Sequence, residues 1–204
     1  MSSFPRPIQH LIESFQKILP GVGPKTAERF ALALVRKNAP EVKALVDAIA
    51  AAKNGIMTCQ VCFDFTEATP CVVCADPRRD GASLCVVAKP QDILALEKTG
   101  AYKGKYLVLG GLLSPIEGRT PDQLKIKELA ERVQKFAPKE IILAFDSTMD
   151  GEATVLYIKH MLAPLKIHVT RLARGLPMGS DLEYADEITL TDADIDVYES
   201  QSIT

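Results

Sequence analysis

Two cysteine pairs, Cys59-x-x-Cys62 and Cys71-x-x-Cys74, stand eight residues apart and constrain the chain more than any other feature. Each pair can present two thiolates to one ion from a tight knuckle, and four soft ligands suit tetrahedral zinc. All four positions are sulfur, with no histidine, carboxylate or place for water, so one structural Zn²⁺ per chain is expected and not a catalytic ion. A redox pair would need only one C-x-x-C at a helix start, and disulfides do not suit a reducing compartment. The segment Gln60 to Pro70 is short and polar, so the metal is expected to supply most of its folding energy. The fifth cysteine, Cys85, lies in the apolar run Leu84 to Val87 and reads as a buried core thiol.

Residues 1–56 carry a helical pattern. Ile8, Leu11, Ile12, Phe15, Ile18 and Leu19 recur at steps of three and four, and Pro20-Gly21 ends the run. Pro24 suits the first turn of a second helix whose inner face is Ala27, Phe30, Ala31 and Leu34. A third helix is expected from about Glu41 to Lys53, stopped by Asn54-Gly55. Such a unit is too small to bury its own apolar faces and is expected to lean on the rest of the chain or on another subunit.

The turn Leu19-Pro20-Gly21-Val22-Gly23-Pro24-Lys25 joins the first two helices. Gly21 and Gly23 permit backbone conformations closed to other residues, so main-chain N–H groups can face outward where the helix dipole favours a phosphate. Lys25 and Arg29, four residues apart, share one helix face and add salt-dependent attraction to the same backbone. Contact with double- and single-stranded DNA, blind to sequence, is expected; a plain helix-to-helix turn is the alternative. Charge distribution agrees, since residues 1–56 hold eight Lys and Arg against four Asp and Glu while the whole chain has a net charge of -2. The end from Asp181 to Thr204 has eight acidic residues and no Lys or Arg, which suits a solvated or partner-facing segment.

Beyond the cysteines, short apolar runs alternate with amphipathic stretches, the signature of a parallel sheet with crossover helices. Strands are expected at Leu84–Val87, Tyr106–Leu109, Ile141–Phe145 and Ile167–Leu172, with a further edge strand at Glu187–Leu190. Helices are expected at Asp92–Lys98, at Pro121–Phe136 with Thr120 as N-cap, and at Gly151–Leu162. The fold class is therefore multidomain, α and α/β: a helical unit at 1–56, a four-cysteine zinc finger at 57–80, a parallel α/β sheet at 81–177 and an acidic C-terminal segment at 178–204. The N-terminus lacks a basic stretch followed by an apolar run, and no window approaches a membrane span, so a cytoplasmic protein with no membrane partner is expected, nucleoid-associated through the DNA contact of its basic end.

Asp146 follows one strand and Asp150-Gly151-Glu152 opens the next helix, so three carboxylates are expected at the carboxyl edge of the sheet, where α/β folds place ligands. This part resembles the Toprim fold of topoisomerases and primases, in which a Glu after the first strand and an Asp-x-Asp after a later one hold Mg²⁺. Ala88 and Lys89 stand where that Glu would lie, and Thr148 replaces the second Asp. A retained fold without catalysis is expected, because two-metal chemistry would lack the charge that anchors its ions. The rival expectation is a Mg²⁺-dependent nuclease or strand-transfer enzyme using Asp146, Asp150 and Glu152.

The first turn resembles the helix-hairpin-helix of DNA repair proteins. In order, that hairpin, the cysteine cluster, the Toprim-like domain with Gly151-Glu152-Ala153-Thr154 and the segment Arg174-Gly175-Leu176-Pro177-Met178-Gly179 resemble the RecR family of bacterial recombination mediators across nearly the whole chain. The resemblance implies a homodimer or ring-forming homotetramer in the RecFOR pathway, which acts with RecO, and often RecF, to help RecA displace single-strand binding protein at gaps. It also implies DNA contact at Lys25 and Arg29 and partner contact at Asp146, Asp150 and Glu152. The family usually has Glu at the position of Asp150, an Asn-Pro-containing turn in place of Asp146-Ser147-Thr148, and a basic end in place of the acidic one from Asp192 onward.

Overall fold

A computed structural model describes residues 4–173 together with Leu176, Gly179, Asp181 and Glu183. The expected edge strand at Glu187–Leu190 and most of Arg174–Gly179 lie outside the described residues. The chain divides into two compact units, Met1–Ile56 and Met57–Thr204.

The first unit holds helices α1 (Arg6–Ile18), α2 (Pro24–Val35) and α3 (Ala39–Gly55), each with a proline in its first turn. There the missing N–H is one that has no intrahelical partner. Asn38 caps α3 by accepting from the Glu41 amide at 2.9 Å. The small side chains of Ala27 and Ala31, four residues apart, are the buried positions of α2, and Phe15 of α1 meets Phe30 of α2 edge-on at 6.3 Å. No residue of α3 is buried, and Leu45, Val46 and Ile49 are 44%, 56% and 62% exposed. The incomplete burial expected of so small a unit is what its structure displays.

The second unit begins with a two-stranded antiparallel ribbon, β1 (Met57–Thr58) and β2 (Phe65–Thr66), and a single helical turn, α4 (Val72–Ala75). Then follow β3 (Asp80–Val87), α5 (Pro90–Thr99), β4 (Gly104–Val108), α6 (Ile126–Phe136), β5 (Glu140–Ala144), α7 (Met149–Leu162) and β6 (His168–Arg171). The four long strands pair in parallel in the order β4-β3-β5-β6, so the chain reverses direction across the sheet between β3 and β5. Alternate residues of β3 enter different clusters. Leu84 and Val86 join Leu107, Leu143, Leu129 of α6 and Ile158 of α7, whereas Cys85 and Val87 join Tyr106, Val108 and Ile93 of α5. Burial of both faces explains why the strands read as continuous apolar runs. Cys85 is a core thiol, 2% exposed, and burial pushes its pKa up to about 12.

The expected helix Pro121–Phe136 is interrupted. Pro121–Gln123 is an isolated 3₁₀ turn, Leu124 is extended, and α6 starts only at Ile126. Tertiary packing overrides the helical pattern there: Leu124 is buried in the core, and the Lys125 amide donates to the Leu109 carbonyl at 2.8 Å. Thr120 consequently heads the 3₁₀ turn and not α6. Helix α7 begins at Met149, two residues before the expected start, because the Thr148 hydroxyl caps it by accepting from the Gly151 amide at 3.1 Å. A Cβ at Gly151 would collide with the Asp146 carbonyl oxygen, so that glycine is required by close backbone approach.

Candidate metal centre and nucleic-acid interface

The ribbon and the single-turn helix bring the two cysteine pairs together. The Sγ atoms of Cys59, Cys62, Cys71 and Cys74 all lie within 4.8 Å of one another, and only Cys74 is more than marginally exposed. Local backbone builds each knuckle. Cys59 N donates to the Asp64 carbonyl at 2.8 Å, Phe63 N donates back to the Cys59 carbonyl at 2.9 Å, and Phe63 takes a left-handed φ of 64° to close the loop. In the second knuckle Cys71 heads α4, and its sulfur accepts from the Cys74 amide at 3.4 Å.

Amides also aim at Cys59 Sγ, from Val61 at 3.5 Å and Cys71 at 3.4 Å. Burial opposes ionisation of Cys59, but the amides of Cys71, Cys62 and Val61 outweigh it and pull the thiol down to about 6. Cys62 is pushed up by the hydrogen bond it shares with Cys74 and by burial, and Cys71 is raised chiefly by burial. Four sulfurs at about 2.3 Å from zinc would stand about 3.8 Å apart. Cys62 Sγ and Cys71 Sγ are 3.5 Å apart, so the set fits a tetrahedral zinc with little adjustment. These residues hold a structural zinc, which supplies folding energy and no reactive position.

In the hairpin, Gly21 has a φ of 77°, a left-handed conformation that L side chains rarely adopt. Gly23 differs from expectation: at φ −77° and ψ 174° it is extended backbone open to any residue. A Cβ there would meet nothing within 4 Å, so no neighbour in the chain demands glycine. Gly23 is the N-cap of α2 and no side chain caps the helix, so the amides of Lys25 and Thr26 lack intrahelical acceptors. Lys25 and Arg29 are exposed on α2, and among the described residues neither belongs to an ion pair. Arg29 lies 5.7 Å from the centre of the Phe30 ring.

The acidic edge is split. Asp146 and Glu152 line a cleft of about 270 Å³ with Ser147 and Arg171, at the carboxyl ends of β5 and β6. Asp150, expected beside them, does not line it. Asp150 and Glu152 are two residues apart on α7 and so sit about 200° apart around its axis. Glu152 faces Arg171 at 3.4 Å. Beyond the end of β3, Ala88 is buried and the Lys89 amide donates to the Asp92 carboxylate at 2.8 Å. Among the described residues, the cysteine cluster is the one group of three or more metal-ligating side chains close enough to share an ion.

Sequence reasoning missed an inner set of polar residues. Arg79, ahead of the core of β3, pairs with Glu97 of α5, and Tyr106 of β4 donates to the same carboxylate at 2.6 Å. Lys105 of β4 and Arg132 of α6 reach carbonyls of the cysteine knuckles. An arginine just after the second knuckle is the only signal in the chain for the first set, and Lys105 and Arg132 carry none.

Comparison with known proteins covers the chain in the same order. Family models match for the helix-hairpin-helix of RecR at residues 8–53, the four-cysteine zinc finger domain of RecR at 56–76, the Toprim domain at 82–173 and the C-terminal part of RecR at 175–193. A relative from Synechococcus elongatus, named Recombination protein RecR, is 50% identical over 193 residues, covering 95% of this chain and 96% of its own length. Proteins of that name from a Cyanothece species and from Thermobifida fusca are 51% and 48% identical, over 93% and 90% of this chain and 94% and 92% of theirs. Identity of this level, sustained through hairpin, cysteine knuckles and sheet alike, means that the chain belongs to the RecR family.

Proposed function

We propose that the chain is a DNA-binding recombination mediator without catalytic activity of its own. Its relatives carry the name recombination protein. The observation that carries the reading is the hairpin: unpaired first-turn amides, open space over Gly23, and two exposed cations one turn apart on α2. A phosphate there would accept from the amides and lie in the field of the helix dipole and both cations. Such contacts touch sugar-phosphate backbone only, so double- and single-stranded DNA are both ligands.

One hairpin makes few contacts and binds weakly, so a dimer or ring tetramer gains by setting several hairpins on one DNA. RecO and RecF are the partners proposed for the assembly, with the cleft at Asp146 and Glu152 as a docking surface, Asp150 lying outside it, and RecA loading on gapped DNA as the outcome. The absence of acidic residues at Ala88 and Lys89 supports a Toprim-like fold without Mg²⁺ chemistry. Fluorescence anisotropy with a gapped duplex at moderate salt tests the reading: Lys25→Ala with Arg29→Ala is expected to abolish binding while zinc content stays at one per chain. Retained binding would remove the hairpin from the DNA surface. Cleavage of DNA in Mg²⁺ or Mn²⁺ that is lost on Asp146→Asn would replace the mediator with a nuclease.

A further inference from the structure

We propose that Lys105 and Arg132 are positioning residues of the metal centre: they clamp the two cysteine knuckles to the sheet and offset the charge of the zinc-loaded cluster. This role is independent of DNA binding at the hairpin.

Zinc with four thiolates carries a net charge of −2, and Cys59, Cys62 and Cys71 are buried. Charge removed from water is costly unless opposite charge or donors compensate it. Each knuckle has one cation. The Lys105 ammonium donates to the carbonyls of Val73 at 3.3 Å, Cys74 at 3.1 Å and Asp76 at 2.8 Å, all within or just after the helical turn that presents Cys74. Arg132 Nη1 donates to the carbonyl of Val61, between Cys59 and Cys62, at 2.9 Å, and to Tyr106 of β4 at 2.7 Å. The Val108 amide adds a bond to the Cys62 carbonyl at 2.7 Å. One cation therefore comes from a strand and the other from a helix of the sheet layer, and both end on the backbone of the metal knuckles.

Lys105 and Arg132 are both half-buried, yet among the described residues neither has a carboxylate within ion-pair distance. Carbonyl dipoles engage the Lys105 ammonium and Arg132 Nη1 without neutralising either charge. Both side chains line one cavity of about 250 Å³ together with Val61 and Cys74, one residue from each knuckle. Two uncompensated cations beside a cluster of net charge −2 are electrostatically complementary. Groups that stand behind metal ligands in this way orient them and tune affinity by about 10- to 100-fold.

The test measures zinc release from the full-length protein to a chromophoric chelator, and the visible spectrum of the cobalt-substituted protein. Lys105→Met and Arg132→Met are each expected to raise the release rate or lower zinc affinity by about tenfold or more. Removing a nearby cation makes the thiolates more electron-rich, so their charge-transfer band to cobalt is expected to move to longer wavelength. Lys105→Arg should restore both readouts. Arg79→Met, which breaks a half-buried ion pair whose side chains touch neither knuckle, should lower thermal stability and leave the cobalt band in place. If Lys105→Met does not fold, Lys105→Gln keeps donors without the charge and gives the same reading. Release rates and cobalt spectra unchanged in the neutral variants would overturn the proposal, as would absence of zinc from the unsubstituted protein.

Discussion

The two units of this chain solve opposite problems. The sheet unit buries Val86, Val87, Tyr106 and Leu107 completely, closes four sulfurs around one point and anchors the knuckles to its strands. Among the described residues the helical unit buries only Ala27 and Ala31, and it displays Leu45, Val46, Ile49 and Phe30 at its surface. A metal and a two-faced core stabilise the sheet unit from within. The helical unit keeps a helix start and two cations open to solvent on a scaffold with little apolar burial. What binds phosphate has to stay uncovered, and α3 keeps Leu45, Val46 and Ile49 exposed in the same small unit.

The sharpest way to break the contrast is to remove the metal. Structural zinc contributes on the order of 10 kcal/mol in small zinc domains. Stripping it, or Cys59→Ser, is expected to expose the Cys59 and Phe63 amides to fast hydrogen exchange while α1 and α2 keep their protection. Equal loss in both units would mean that they fold as one.

Core truncation comes next. Leu107→Ala in β4 should destabilise by about 2–5 kcal/mol in denaturant unfolding. Leu45→Ala on α3 should stay within about 0.5 kcal/mol at a concentration too low for association. A large loss for Leu45→Ala under those conditions would show that α3 is covered within the chain.

A third measurement sharpens the functional side. At salt low enough to leave residual binding measurable, loss of both Lys25 and Arg29 should flatten the plot of log affinity against log salt by about 0.9 for each phosphate contact removed. It should leave the melting temperature unchanged, because neither side chain is buried or paired among the described residues.

The smallest expected effect is acid sensitivity of the sheet unit. The hydrogen bond from Arg79 lowers the Glu97 carboxyl below its ordinary value against the opposing effect of burial, with Tyr106 helping. An unfolded Glu titrates near about 4.3. Below that pH the unfolded chain binds the proton first, so this contribution is full above it and is lost as pH falls through the lower folded value. Glu97→Gln should flatten the fall in stability between about pH 5 and 3 relative to the unsubstituted chain. An unchanged slope would place the acid sensitivity elsewhere.

The legible parts of the fold are those written in short-range pattern. Apolar runs locate all four parallel strands, and the neighbours of Cys85 alone mark it as a core thiol. Pro121–Phe136 misleads because its apolar spacing suits a continuous helix, whereas burying Leu124 and bonding Lys125 to Leu109 require the break. Proximity in the chain groups Asp150 with Glu152, although helical rotation turns them to different sides. The glycine at position 23 suggests an unusual dihedral, yet its backbone is extended and no neighbour would meet a Cβ there.

By itself the sequence determined the metal ligands and the hairpin, since chelation by C-x-x-C and a glycine turn into a helix are settled within a few residues. Only the tertiary structure decided what surrounds them. Arg132 meets Val61 across 71 residues and Lys105 meets Cys74 across 31, and Tyr106 and Glu97 close on Arg79. Those meetings depend on which strands become neighbours in the sheet. Parallel pairing sets that order through crossovers of a dozen or more residues, and no local spacing encodes it.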